Sequence, residues 1–352
     1  MNAKAHAAKP STGVVDLFCG VGGLSVGFRR AGFRIAAGID VDDAGRYAFE
    51  RYTGGRFVHE DVAHVSVETV KNLLGKGRPS ILIGCAPCQS FSEYNKKGRG
   101  TSWNMLPQFA RIIEGARPDI VSMENVARLA TYRQGRTLNT FVARLARAGY
   151  DVSWYIVNCT DYGISQRRKR LVLFASRRGF VDLVPPTHRS VRTLRNVIGN
   201  LPRLAAGSAD ADDPYHRAQW LSGINQRRLR ATPPGGTWEN WPTALRARCH
   251  TTRRGQEFAS VYGRLTYDDV GPTITTQFFK VGSGRFGHPT QQRALSLREG
   301  ALLQTFPPRF RFVKDGDGIT FHAVGRLIGN AVPVRLGEII ARSIRRHIQE
   351  VY

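Results

Sequence analysis

The stretch VVDLFCGVGGLSVGFRRAG, residues 14–32, reads as a short apolar strand, a glycine-rich turn and an amphipathic helix. Strand, glycine turn and helix in that order open a nucleotide-binding βαβ unit. Glycines let the backbone come close to a ligand, and the helix N-terminus presents free N–H groups. A G-x-G-G turn also occurs for structural reasons alone, so the next segment matters. Phe33 to Ile39 forms a second strand that ends at Asp40, and an acid about 20 residues after the glycines is where a ribose hydroxyl pair is held. A second acid of interest, Asp61, follows the next apolar segment.

Further along, ILIGCAPCQSFS (residues 81–92) begins as a buried strand and breaks at Gly84 into a turn. That turn leaves Cys88 at the strand's carboxyl end, followed by the polar, basic run QSFSEYNKKGRG. Ligands of open α/β sheets sit beyond the carboxyl ends of the strands, so a thiol there meets substrate. Residues 103–116 and 138–148 have helical periodicity, while 119–123, 150–158 and 171–175 read as strands. Alternating strands and helices imply a largely parallel sheet covered on both faces. After about Arg178 the texture changes to Pro and Gly pairs, scattered Trp and many Arg, and regular helices return from about Thr290. The boundaries expected from this are a loose polar tail over 1–12, a nucleotide-binding domain over 13–180, an irregular inserted module over 181–285, and a segment over 286–352 that completes the first domain.

The 352 residues include 52 Lys+Arg against 27 Asp+Glu, a formal net charge of +25. Such a surplus suits a polyanionic partner, most simply nucleic acid, although Arg-rich codon usage would supply part of it. Five cysteines without a signal-like leader suit a reducing cytoplasm. No apolar run reaches the roughly 18 residues of a membrane span. The Cys249-His250 neighbours are poor geometry for two zinc ligands, and no metal is expected.

Cys88 has three readings. It is a packed thiol, half of a Cys85-x-x-Cys88 dithiol, or a nucleophile. Glu124 in Met123-Glu124-Asn125-Val126 ends a strand parallel to the one before Cys88, and apolar neighbours would desolvate it and raise its pKa. In Gln166-Arg167-Arg168-Lys169-Arg170, strand alternation would turn Arg168 and Arg170 to one side, where guanidiniums hold a carbonyl or phosphate.

These blocks together resemble the DNA (cytosine-5) methyltransferase family of the bacterial restriction-modification type. The resemblance rests on DLFCGVGGLSVGF, the Asp40 strand end, Asp61, PCQSFS, MENV, QRRKR, RALSLREGALLQTFP and GNAVP, in the family's order and over nearly the whole chain. It implies a Rossmann-like S-adenosylmethionine-dependent methyltransferase sheet with helices on both faces, and a smaller target-recognition domain over 181–285. It implies that Cys88 adds as thiolate to carbon 6 of cytosine, that Glu124 binds the exocyclic amine and ring nitrogen 3, and that Arg168 and Arg170 hold the base carbonyl. It implies that S-adenosylmethionine lies over Phe18, Gly20, Gly22, Gly23 and Pro87, with Asp40 on the ribose, Asp61 on the adenine, and Asn330 and Val332 closing the pocket. Gln89, Ser90, Lys96, Lys97, Arg99 and Gln166 are then expected at the DNA. Double-stranded DNA is the partner, with a companion restriction endonuclease a candidate second one. A monomer in the bacterial cytoplasm, at the nucleoid, is expected. Cys85 is less usual at its place before Pro87 and is read as a small wall residue. The rival readings are a tRNA-cytosine methyltransferase, disfavoured by Gln89 after Cys88 and by the long inserted module; a dithiol oxidoreductase; and a non-catalytic DNA-binding derivative of the scaffold.

Overall fold

The computed structural model of the chain describes residues 13–87, 105–252 and 256–352. The expected tail over 1–12 and six of the expected site residues (Cys88, Gln89, Ser90, Lys96, Lys97 and Arg99) lie outside the described residues. Two compact units divide the chain. The first takes the residues up to Val157 with Lys169–Pro185 and Leu336–Tyr352; the second takes Asn158–Arg168 and Pro186–Arg335. The strands are β1 (Gly13–Leu17), β2 (Arg34–Asp40), β3 (Arg56–His59), β4 (Ile81–Gly84), β5 (Ile120–Val126), β6 (Asp151–Asn158), β7 (Gln166–Arg167), β8 (Lys169–Ser176) and β9 (Gly271–Pro272). The helices are α1 (Gly23–Arg30), α2 (Arg46–Thr53), α3 (Val67–Leu74), α4 (Met105–Ala116), α5 (Arg136–Arg147), α6 (Leu194–Ile198), α7 (Gly223–Ala231), α8 (Leu297–Leu303), α9 (Phe321–Asn330) and α10 (Val334–Val351).

Seven strands form one sheet in the order β3-β2-β1-β4-β5-β8-β6. β1 pairs in parallel with both β2 and β4, and β5 continues the parallel run, while β8 returns antiparallel to β5. The strands are apolar on both faces because both faces are covered. Val15, Leu17, Leu82, Val121, Met123, Leu171 and Leu173 turn one way, into a core with Val70 and Leu74 of α3, Phe109, Ile112 and Ile113 of α4, and Leu138 and Phe141 of α5. Alternation sends Val14, Ile81, Ile83, Val172 and Phe174 the other way, where they are equally buried. Ser176, of that second parity, hydrogen-bonds His347 of α10 at 2.8 Å, and Ser343 of α10 accepts the Val184 N–H at 3.0 Å. The last helix therefore covers the face opposite α3–α5. Each fully buried Leu, Ile or Phe stabilises this core by about 1.5–3 kcal/mol. The chain order reverses at β1, with β2 on one side and β4 on the other. That switch point opens a crevice at the carboxyl ends of β1, β2 and β4.

The second unit has short elements, as its Pro- and Gly-rich sequence implies. β7 pairs in parallel with β9, and the α6 start is held by Leu194 N–H to the Asp269 carbonyl at 2.8 Å. The boundary expected at 285/286 does not coincide with the division of the molecule, because 286–335 packs with the second unit. The contacts that hold it there are apolar and polar together: Ala294 packs with Leu221, Leu229 and Val281, and Phe312 meets the Tyr215 ring. Arg298 pairs with Asp213 and donates its backbone N–H to the Tyr215 carbonyl at 2.8 Å. Arg293 and Glu299, both wholly buried, share two hydrogen bonds of 2.7 Å. Glu299 also accepts the Ser296 N–H at 2.7 Å, so it caps α8 as well as neutralising Arg293. Helical periodicity after Thr290 reported regular structure correctly but carried no information about which core the helix joins.

Burial alone would push the Glu299 carboxyl up, but the Arg293 guanidinium overcomes it and holds the group down to about 2. His288, 3.6 Å from Glu299, is held down to about 4 by burial, with Arg293 adding to the effect. Both folded-state values lie below the unfolded ones, so both contributions are present at neutral pH and are lost on acidification. His288 acts first, between the ordinary histidine range and about 4, and Glu299 next, toward about 2. Arg293→Met, which leaves Glu299 buried without its partner, should cost about 3–5 kcal/mol. Urea unfolding followed by the tryptophans of the second unit measures it, and a loss under 1 kcal/mol would contradict the pairing's role.

Candidate active site

The crevice is lined first by the turn after β1. Phe18 adopts φ +60°, a conformation that costs a bulky residue strain and marks functional turns. Gly20 and Gly22 follow at φ +51° and +82°, where a side chain would be strained. A Cβ on Gly20 would meet nothing within 4 Å, so the turn faces open space there, whereas one on Gly22 would stand 2.9 Å from Phe49. Gly23 begins α1. Asp40, at the end of β2, fixes this turn: one carboxylate oxygen accepts the Gly20 N–H at 2.8 Å and the other accepts the Asp42 N–H at 2.8 Å. Burial raises the Asp40 carboxyl above its ordinary value despite these donors. Asp61 is half-buried beyond β3 and accepts the Ala63 N–H at 2.8 Å.

Sequence reasoning missed Asp16. It is buried in the middle of β1, and the Ser25 hydroxyl of α1 donates to its Oδ2 at 2.6 Å. Burial, with the charge of Asp40 adding to it, pushes its carboxyl up to about 8. It therefore carries a proton at neutral pH and clamps the first turn of α1 to β1 without adding a second charge beside Asp40. The signal was present: an acid inside the otherwise apolar GVVDL has no reason to be there as a charge.

The second half of the crevice is set by strand register. β4 and β5 run parallel with Ile81 opposite Ile120 and Gly84 opposite Met123. One step further, Cys85 stands abreast of Glu124, and its thiol donates to Glu124 Oε2 at 2.8 Å. The next step brings Ala86 beside Asn125, whose side-chain amide donates to the Ala86 carbonyl at 3.1 Å. Asn125 thereby pins the loop two residues before Cys88, a role that the sequence reading did not assign. Pro87 is half-buried at the end of the described loop. From the other side, β8 places Val172 opposite Glu124 and Arg170 opposite Val126. The Arg170 guanidinium reaches Glu124 Oε1 at 3.0 Å. Glu124, only 2% exposed, thus accepts the thiol on Oε2 and has the Arg170 cation against Oε1, which takes no hydrogen bond of its own among the described residues.

The strand expected to carry Arg168 and Arg170 on one side is interrupted. β7 ends at Arg167, β8 begins at Lys169, and the Arg168 carbonyl instead accepts the Cys159 N–H at 2.9 Å. Arg168 is buried in the second unit, with its guanidinium 3.5 Å from the Ala331 carbonyl, between Asn330 and Val332. Gln304 donates to that carbonyl at 2.9 Å and accepts from Gln166 at 2.9 Å. Asn330 is exposed and Val332 buried. Gln166, expected at the DNA, is corrected: it is wholly buried. Its amide donates to the Leu303 carbonyl at 2.6 Å, and its oxygen accepts the Ile274 N–H at 3.1 Å. It is a framework residue, because both ends of the amide are used inside the unit. Among the described residues no cluster of His, Cys, Asp or Glu has the makings of a metal site, and His250 lies stacked on Trp238 at 4.5 Å. No helix of the described residues is long and apolar enough to cross a membrane.

The fold is a doubly wound α/β sheet with its crevice at the switch point beside β1. The family model for the C-5 cytosine-specific DNA methylase matches residues 12–346, and the chain belongs to that family. It is 48% identical over 342 residues to the Type II methylase M.HgiDII of Herpetosiphon aurantiacus, covering 96% of each protein. It is 30% identical over 339 residues to the Type II methyltransferase M1.HphI of Haemophilus parahaemolyticus, covering 94% of this chain and 86% of that one. Among solved structures, one described as a DNA modification methyltransferase encoded within an E. coli prophage superposes with a TM-score of 0.74 at 22% identity, over 96% of this chain and 100% of that one. The enzyme is a DNA cytosine-5 methyltransferase.

The raised Asp16 carboxyl gives a test of the first half of the site. Its folded value lies above the unfolded one, so its contribution is full at low pH and is lost as pH rises from the ordinary carboxylate range through about 8. Asp16→Asn should remove that dependence. Melting temperatures across pH 5 to 9 should show the wild type falling relative to the variant as pH rises, and parallel curves would contradict a protonated Asp16.

Proposed function

We propose that the chain methylates carbon 5 of a cytosine flipped out of a specific double-stranded DNA sequence, through a Cys88 adduct at carbon 6, with S-adenosylmethionine as donor. The observation that carries this reading is Glu124. It is buried, held by Cys85 and Arg170, and fixed by register beside the loop that runs on to Cys88. Carbon 5 of cytosine is a poor nucleophile. The Cys88 thiolate forms a bond to carbon 6, and the displaced electron pair moves toward ring nitrogen 3, where Glu124 meets it with a proton. The ring is then an enamine whose carbon 5 takes the methyl group. Loss of the carbon 5 proton, departure of the thiolate and return of the nitrogen 3 proton to Glu124 restore the neutral aromatic ring, so one hard step becomes several easier ones. A thiolate is the reactive form of cysteine, and the chain's net charge of +25 favours it. A base inside a duplex is out of reach, so it is extruded at a cost of about a few kcal/mol.

When bound, S-adenosylmethionine supplies an electrophilic methyl group. The described residues fit it. Gly20 opens onto free space, Phe18 is held in a strained conformation at the turn, and each Asp40 oxygen keeps a lone pair for a ribose hydroxyl after accepting its backbone donor. Gly22 and Gly23 keep the α1 start close, Asp61 would take the adenine amine, and Pro87, Asn330 and Val332 would complete the pocket. Arg168 and Arg170 would hold the base carbonyl and the region around the thiol. The module over 181–285 would read the target sequence, with Gln89, Ser90, Lys96, Lys97 and Arg99 at the DNA. The named relatives are Type II enzymes, which supports a place in a restriction-modification pair, in the bacterial cytoplasm.

Cys88→Ala should abolish methylation while leaving duplex binding within about twofold. Bisulfite sequencing of DNA from cells expressing each form reads activity, modified base and site together. A residual rate above a few per cent of wild type would remove Cys88 as nucleophile.

A further inference from the structure

We propose that Cys85 is a positioning residue that sets both the orientation and the proton affinity of Glu124, which is why a C-x-x-C sequence stands here with only its second cysteine as nucleophile. The proposal rests on the reading of Glu124 as the group that carries a proton to cytosine. Two observations support it independently. The β4–β5 register brings Cys85 abreast of Glu124 whatever its side chain, since Gly84 faces Met123 one step before. The thiol then donates to Oε2 at 2.8 Å, while Arg170 from β8 meets Oε1 at 3.0 Å. Among the described residues, Cys85 from the end of β4 and Arg170 from β8 are the charged and titratable groups seen to meet Glu124 from the strands on either side of β5.

A thiol has one hydrogen, and here it is directed at the carboxylate. A thiol used as a donor keeps its proton, and the thiol is a poor nucleophile compared with its thiolate. That separates Cys85 from a dithiol role. A thiol is also a weak donor. It can fix the carboxylate rotamer in a buried site while stabilising the ionised form less than a hydroxyl would. Glu124 needs that balance, because a carboxyl that hands over a proton loses its function if its charged form is held too firmly. Arg170 lies against the opposite oxygen at 3.0 Å.

The test compares Cys85→Ser with Cys85→Ala in the full-length enzyme, reading kcat and KM for a duplex across pH. Serine, a stronger donor of similar size, should lower the proton affinity of Glu124 and move the alkaline limb of kcat to lower pH by about half a unit or more. Alanine, with no donor, should move the same limb to higher pH and lower kcat by roughly tenfold, with KM changed less than kcat. A role confined to packing would lower stability or activity without displacing the limb in opposite directions. Limbs that coincide in wild type, serine and alanine forms, or that move the same way, would overturn the proposal. If alanine fails to fold, the serine form still decides, since an unshifted limb contradicts the argument. Glu124→Gln run alongside separates the two layers. Full activity in that variant would remove Glu124 itself, whereas an inactive Glu124→Gln with unshifted Cys85 variants would remove only the Cys85 proposal.

Discussion

The pairing of β4 with β5 fixes more of this molecule's chemistry than any other single contact. Four aliphatic residues, Ile81 to Gly84, lie beside Ile120 to Met123, and the register continues past the end of β4. Because a parallel ladder advances both chains together, the residue after Gly84 must face Glu124 and the one after that must face Asn125. The thiol donation to Glu124 and the amide donation to the Ala86 carbonyl follow from that. A slip of one residue would turn Glu124 to the opposite face of the sheet. The apolar burial that sets the register therefore also sets where the loop after Gly84 leaves the sheet.

The other side of the crevice depends on two acids with different protonation. Asp40 holds the glycine turn through the Gly20 N–H, and Asp16, a strand's depth away, clamps α1 through Ser25. Two buried carboxylates so close would repel if both were charged. Keeping Asp16 protonated lets the site present one carboxylate toward the open space at Gly20 while the helix start stays anchored. The second unit follows the same logic with opposite charges, where Arg293 and Glu299 are buried as a hydrogen-bonded pair that ties an irregular chain together.

The sheet was legible in the sequence because buried parallel strands read as short aliphatic runs, and because the glycine turn and Asp40 sit at strand ends; Glu124, expected at one, lies inside β5, which runs on to Val126. Strand limits came out within a residue or two for β1, β2, β4 and β6. What the sequence did not reveal were contacts made across register or across long separations. Asn125 and Cys85 have no local pattern that announces their partners, since those partners lie 39 residues away in each case. Gln166 was expected at the DNA from the family resemblance, yet its partners at Leu303 and Ile274 lie more than a hundred residues off, and it is wholly buried. The alternation argument for Arg168 and Arg170 failed because one residue between β7 and β8 leaves the ladder. The grouping of 286–335 with the inserted module rests on long-range contacts, apolar as well as ionic, which periodicity does not encode.

The central claim is that the chain's arrangement around Glu124 serves a covalent attack by Cys88 on cytosine. Incubating the enzyme and its methyl donor with a duplex carrying 5-fluorocytosine at the target tests it directly, because fluorine cannot leave as a proton does and the adduct is trapped. Mass spectrometry of the digested complex should find the nucleotide attached at Cys88. An adduct on Cys85 or elsewhere, or no adduct with a duplex whose unfluorinated form is methylated, would contradict the account.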